Sequence, residues 1–180
     1  MRNFVVGEFQ CKCCGDLPEN ARSNEVALVD NLLDPVRDVF GHEIKVNSGY
    51  RCPRHNAKVG GVKNSQHLTG EAADICAETR GYQNITDWKM ANQDIVRAIL
   101  KVGRFDQLIL ENVGEKDLLP TWVHVSFSRK YDWRFREKCY FCSENHYLTK
   151  WRFTKMKTDE LRELMELLEA ADVRAELCDT

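Results

Sequence analysis

SQHLTGEAADI, Ser65 to Ile75, is the stretch on which the reading of this chain turns. It presents a histidine, His67, and an aspartate, Asp74, with six residues between them. Gly70, Ala72 and Ala73 fall in that interval. Residues this small let the backbone turn and let another group come close. An imidazole and a carboxylate are donors of the kind zinc accepts. A second imidazole, His124, stands fifty residues beyond Asp74, inside the alternating run TWVHVSFS. Two histidines and one carboxylate leave a fourth position to water, which describes a catalytic zinc site rather than a structural one. Taken alone, the pair also fits a satisfied loop histidine beside a strand-edge carboxylate.

The flanking segments form a consistent frame. Val29, Leu32, Leu33, Val36, Val39 and Phe40 fall at helical spacing over 24–40. Pro35 either kinks this helix or restarts it with Asp34 as cap, and Gly41 ends it. Ile44 to Asn47 reads as a short strand. Ala72 to Cys76 alternates as another, with Ala72 and Asp74 on one face. A helix is expected over Asp87 to Val102, closed by Gly103. Phe105 to Glu111 is a strand with Gln107, Ile109 and Glu111 on one side; Trp122 to Ser128 is another, with Trp122, His124 and Ser126 sharing a face. Each of three strands thus carries a polar group opposite its apolar face: Asp74, Glu111 and His124. The expected fold class is α+β: a small antiparallel sheet, helices packed on one face, and an open face that gathers these groups. Sequence does not set the order of its strands.

The chain has 180 residues, 43% of them hydrophobic and 30% charged, enough to bury a real core. Its net charge of −2 gives no push toward nucleic acid or an anionic membrane. No apolar run approaches the roughly 18 residues of a membrane span. The opening MRNFVVGEFQCKCCG lacks the apolar core of a signal peptide, so the expectation is a chain that is cytoplasmic as made.

Eight cysteines are many for such a compartment, where thiols or metal are favoured over disulfides. Cys11, Cys13 and Cys14 read as free thiols, buried or partly so, with a structural metal as the alternative. Cys139, Cys142 and His146 form a candidate second zinc site whose fourth ligand is not evident. The segment after Ser128 is rich in aromatic and basic residues and reads as a solvated insertion or lid. Thr158 then caps an amphipathic helix with Leu161, Leu164, Met165, Leu168 and Ala171 on one stripe. The chain divides into 1–128, carrying the chemistry, and 129–180, an insertion and helix packed on the same domain.

In this order, SGYRCPRHN (48–56), VGGVKNSQHLTGEAADI (59–75), FDQLILE (105–111) and WVHVSFS (122–128) resemble the D-Ala-D-Ala carboxypeptidase-type zinc peptidases, peptidase family M-fifteen. That family shares its fold with the hedgehog signalling domain and its zinc geometry with lysostaphin-type enzymes. The resemblance runs from about Phe9 to Ser128. Ser65, His67, Gly70, Ala72 and Asp74 fill its Ser-x-His-x(2)-Gly-x-Ala-x-Asp pattern. The opening from Glu8 to Gly15 looks like the phage-associated branch of the family.

The resemblance implies one catalytic zinc held by His67, Asp74 and His124, and hydrolysis of peptidoglycan stem peptides or cross-links by a metal-activated water. Carboxypeptidases, endopeptidases and phage endolysins all occur in the family; an endolysin would act on the wall after release. Relatives place an acid three residues before the second histidine, where this chain has Thr121. The candidate general base is therefore Glu111, with Glu115 and Asp117 as weaker alternatives. Arg51 resembles the family arginine that pairs with the substrate carbonyl or the developing oxyanion. Ser65, Gln66, Trp122 and Ser126 are candidate substrate-binding residues, although Ser65 would equally cap its own turn. His42 and His55 read as turn or surface residues. The rival function is a non-catalytic wall- or protein-binding module on the same scaffold. A nucleic-acid role for 129–153 is disfavoured by the net charge.

Overall fold

A computed structural model describes residues 1–113, 119–130, 138–144, 151–157 and 159–167. Glu115, Asp117, His146, Thr158, Leu168, Ala171 and Cys178 lie outside the described residues.

Helix α1 (Glu19–Leu28) starts behind Pro18 and runs through one widened turn, Val29–Leu33, into α2 (Asp34–Phe40). Pro35 lacks an amide hydrogen and its ring crowds the preceding turn. A wide turn just before it relieves both problems without stopping the helix. Asp34 is not the expected cap. It is buried, and its carboxylate accepts the backbone N–H groups of Arg2 and Asn3 at 2.7 and 2.9 Å. It therefore ties down the N-terminus. Gly41, at φ +78, closes α2.

Strand β1 (Ile44–Ser48), short helix α3 (Pro53–Lys58), strand β2 (Ala72–Ala77) and helix α4 (Ile85–Val102) follow. The Asn84 side chain caps α4 by accepting the N–H groups of Thr86 and Asp87. The remaining strands are β3 (Gln107–Glu111), β4 (Trp122–Ser126), β5 (Lys138–Glu144) and β6 (Trp151–Met156). The sheet order is β1-β2-β4-β3-β5-β6. The first four strands pair antiparallel, as expected.

The α+β class stands, and β5 extends the four antiparallel strands by joining β3 in parallel. The aromatic-rich stretch expected as an insertion or lid thus supplies two more strands. Aromatic side chains favour strands as readily as they favour half-buried loops.

Helices α1, α2 and α4 cover one face. Leu28, Leu32, Leu33, Val36, Ile95 and Ile99 pack there with Ile75, Leu108, Leu110, Val123 and Val125 in one core. Leu161 and Met165, from a helical turn over 159–167, are buried in the same core. Asn92 of α4 is fully buried and works as a clasp. Its carbonyl oxygen accepts the Ala77 N–H at 2.7 Å, and its amide donates to the carbonyls of Pro120 and Thr121. One side chain so holds the end of β2 against the start of β4.

Glu25 is a buried acid away from the open face. Its Oε1 accepts the Tyr50 N–H at 2.8 Å, while Oε2 has no hydrogen-bond partner among the described residues. Burial pushes its carboxyl up to about 8, against the pull of that N–H. Its ordinary value is 4.5, so the native state binds the proton more tightly than the unfolded chain does. The stabilisation is complete below pH 4.5 and is lost as pH rises through about 8. Glu25→Gln, neutral throughout, should remove about 4 kcal/mol of this pH dependence between pH 5 and 9. Urea unfolding of both proteins at pH 5, 7 and 9 measures it; parallel profiles would refute the assignment.

Candidate metal centre

His67 rides on a single 3-10 turn, Gln66–Thr69. Ser65 caps that turn, its hydroxyl accepting the His67 N–H at 3.4 Å. Gly70, at φ +71, then swings the chain into β2. A Cβ at Gly70 would stand 2.4 Å from the Ala21 carbonyl oxygen, so α1 presses directly on the turn. The Arg51 N–H donates to the His67 carbonyl at 3.0 Å, fixing the turn from its other side.

The His67 ring is oriented by backbone. Its Nδ1 lies 2.7 Å from the Gly49 carbonyl oxygen, which can only accept. The proton therefore sits on Nδ1, and Nε2 presents its lone pair to the open face. A Cβ at Gly49 would meet the Phe9 backbone at 2.6 Å, so this carbonyl is delivered by a residue that must be small.

Asp74 and His124 meet because of register. They are direct partners across the β2–β4 pair, and directly opposed residues on one face are neighbours. The Asp74 Oδ1 lies 2.9 Å from His124 Nδ1 and 3.2 Å from His67 Nε2; the two nitrogens are 3.1 Å apart. A tetrahedral zinc with bonds of about 2.0–2.1 Å spaces its donors about 3.4 Å apart. The triangle is thus one slightly contracted face of such a tetrahedron, and all three side chains are buried. Burial alone would raise the Asp74 carboxyl, but its interactions with the His67 and His124 imidazoles hold it well below the usual carboxylate range. A carboxylate kept ionised beside two imidazoles is a donor set ready for a divalent cation.

The Arg51 guanidinium grips the other oxygen of Asp74, Oδ2, while its Nε donates to Ser48 Oγ at 2.9 Å. This leaves Oδ1 for the metal. The expected substrate-facing role of Arg51 therefore shares the side chain with a structural one: it bridges its turn to Ser48, the alternative the sequence also allowed, and holds Asp74 as well. Ser48 and Gly49 were both inside a quoted motif, yet nothing in their identity marks them as supports.

The triangle forms part of the wall of a cleft of about 410 Å³. Arg51, Ser65, Gln66, Glu111 and Trp122 line it together with the three donors. Gln66 is tethered by its amide to Asp106 at 2.8 Å. Glu111 reaches the cleft from the last position of β3, where it pairs with Trp122. Ser126 is a correction: it does not line the cleft. It is fully buried, and its hydroxyl accepts the Gln107 N–H at 3.1 Å. Sharing a strand face with His124 was not enough: its cross-strand partner Gln107 lines the cleft in its place. Thr121 binds Asn112 through its hydroxyl at 3.0 Å. His42 stacks edge-on against Phe40, and His55 lies beside Cys11; neither joins the cleft. Cys139 and Cys142 sit on β5, and the third member of that candidate site, His146, is not among the described residues.

Fold and donor set together give a candidate site for one metal ion on the open face of an α+β sheet. The sequence comparisons agree. The chain belongs to the Peptidase M15 family, whose model matches residues 2–106. Over 86 residues it is 34% identical to the zinc D-Ala-D-Ala carboxypeptidase of Streptomyces albus G. That alignment takes in 44% of this chain and 33% of the relative, so the chain matches about a third of that protein's length. The family match includes His67 and Asp74 and ends before His124.

Proposed function

We propose that this chain is a zinc peptidase that hydrolyses peptide bonds in peptidoglycan stem peptides or cross-links. The observation that carries this reading is the contracted tetrahedral face formed by His67 Nε2, Asp74 Oδ1 and His124 Nδ1 at an open cleft. The relative's D-Ala-D-Ala specificity supplies the substrate class.

When bound, zinc supplies a Lewis acid and acidifies a water molecule. The chain's own residues do the rest. Gly49 fixes the tautomer of His67. Arg51 orients Asp74 and, from the cleft wall, offers its remaining N–H donors to the substrate carbonyl. Glu111 takes a proton from the attacking water and passes it to the departing amine. Trp122, Gln66 and Ser65 border the space where the peptide lies. In this reading 1–128 holds the complete reaction centre, and 129–180 is built onto the same domain. An endolysin-type role, acting on the wall after release, is the setting we favour.

Incubation with defined muropeptides, read by mass spectrometry, tests the reading. Loss of a terminal D-alanine marks a carboxypeptidase, and cut cross-links mark an endopeptidase. A protein that binds purified walls but releases no new amino groups is instead a recognition module, the outcome that the threonine at position 121 would favour.

A further inference from the structure

We infer that the chain carries a second metal site, a structural tetrathiolate zinc built from Cys11, Cys13, Cys14 and Cys52. The inference is independent of which bond the cleft cuts. Three of these cysteines fall within four consecutive residues, and the fourth arrives from 39 residues beyond Cys13. Only the fold could reveal it. All four sulfurs lie within 4.8 Å of one another. Cys11 and Cys13 are 3.6 Å apart, and Cys13 and Cys52 are 3.4 Å apart. A zinc ion with bonds to sulfur of about 2.3 Å sets its ligands about 3.8 Å apart. A disulfide would require about 2.05 Å. The cluster has the spacing of a coordination shell rather than of a covalent bond.

The surroundings point the same way. Cys11 lies in a tight turn: the N–H groups of Cys14 and Gly15 both donate to its carbonyl, at 3.3 and 2.8 Å. Gly15, at φ +73, lets the chain leave that turn. The Cys52 N–H points at Cys11 Sγ and the His55 N–H at Cys52 Sγ, each at 3.4 Å. Amide donors aimed at sulfur favour thiolate over thiol and are the usual outer support of a metal ligand. Four thiolates around a divalent ion leave a charge of −2. Arg54 Nη2, 3.8 Å from Cys13 Sγ, and His55 Nδ1, 3.5 Å from Cys11 Sγ, face that charge. Cys76 shows the contrast: it is a buried thiol paired with Asn47 and joins no such cluster among the described residues.

Such a site would act as a staple. Cys52 directly follows Arg51, whose guanidinium holds Asp74. Phe9, two residues before Cys11, accepts the Tyr50 N–H at 2.9 Å. A metal joining the 11–14 turn to Cys52 would lock the segment that carries both Arg51 and the Gly49 carbonyl.

The full chain, purified under reducing conditions with zinc, should contain two zinc ions per molecule. Asp74→Asn should retain one, and Cys13→Ser/Cys14→Ser should retain the other. Cobalt substitution separates the sites without relying on a variant that folds. Sulfur-to-cobalt charge-transfer absorption can arise from the cysteine cluster but not from a site of two imidazoles and a carboxylate. Two metals and that absorption, lost in the double serine variant, support the inference. One metal per chain without the absorption overturns it. So does a native mass lower by two hydrogens with Cys13 and Cys52 found linked. An Asp74→Asn protein that keeps both metals would sink the cleft assignment and leave the cysteine site standing.

Discussion

Glu111→Gln should lower kcat on muropeptides by about 10²–10⁴-fold, the usual share of a positioned acid–base group. The metal content of the cleft should stay unchanged. The expectation rests on placement. Glu111 ends β3, pairs with Trp122 and borders the cleft that holds the three donors. Thr121, at the place relatives use for an acid, has no titratable group and is engaged with Asn112. Glutamine keeps the shape and the carbonyl oxygen but cannot accept a proton at working pH. The loss should therefore fall on kcat, with KM nearly unaltered. Steady-state kinetics with metal analysis of the same preparation decides it. Wild-type turnover by the variant would move the base elsewhere, and a loss of zinc would show that Glu111 supports the metal instead.

Asp74→Asn is expected to do more damage, in two separable ways. It removes the anionic donor of the triangle, so the cleft should lose its zinc and hydrolysis should fall further than the 10–100-fold that follows loss of a ligand's supporting partner. It also strands the Arg51 guanidinium, which is largely buried and bonded to Asp74 Oδ2. Removing one member of such a pair costs about 3 kcal/mol, or roughly 6–12 °C in Tm for a chain of this size. Calorimetry in the presence of a chelator isolates this second effect, because neither protein then gains stability from bound metal. Equal melting temperatures under those conditions would mean that the Arg51–Asp74 contact contributes nothing to the fold.

The convergence of His67, Asp74 and His124 was legible in sequence because their residue types are few and their surroundings alternate with strand period. Asp74, Ile109, Glu111 and His124 all fall on the open face that the alternation assigned them. Supports made of backbone were not legible: the Gly49 carbonyl and the Arg51 N–H on the His67 carbonyl carry no side-chain signature. Asn92 was hidden for another reason. An asparagine inside an amphipathic helix looks like an ordinary polar position until the ends of β2 and β4 are seen beside it. Cys52 could not be joined to Cys11, Cys13 and Cys14 without knowing where the 49–52 segment runs. The helix over 24–40 was recognised but begun late, because Glu19 to Ser23 has too few apolar residues to show a stripe. Ser126 was misplaced because strand face alone does not say how far a cleft extends.

The strand that carries the last ligand is also the one wedged between β2 and β3, although it follows both along the polypeptide. A fragment ending at residue 106, where the family match stops, therefore holds two of the three candidate ligands and none of the strands beyond β2. Dissecting the molecule there would not yield a weaker enzyme. It would yield half a coordination sphere beside a seam with nothing to zip it shut.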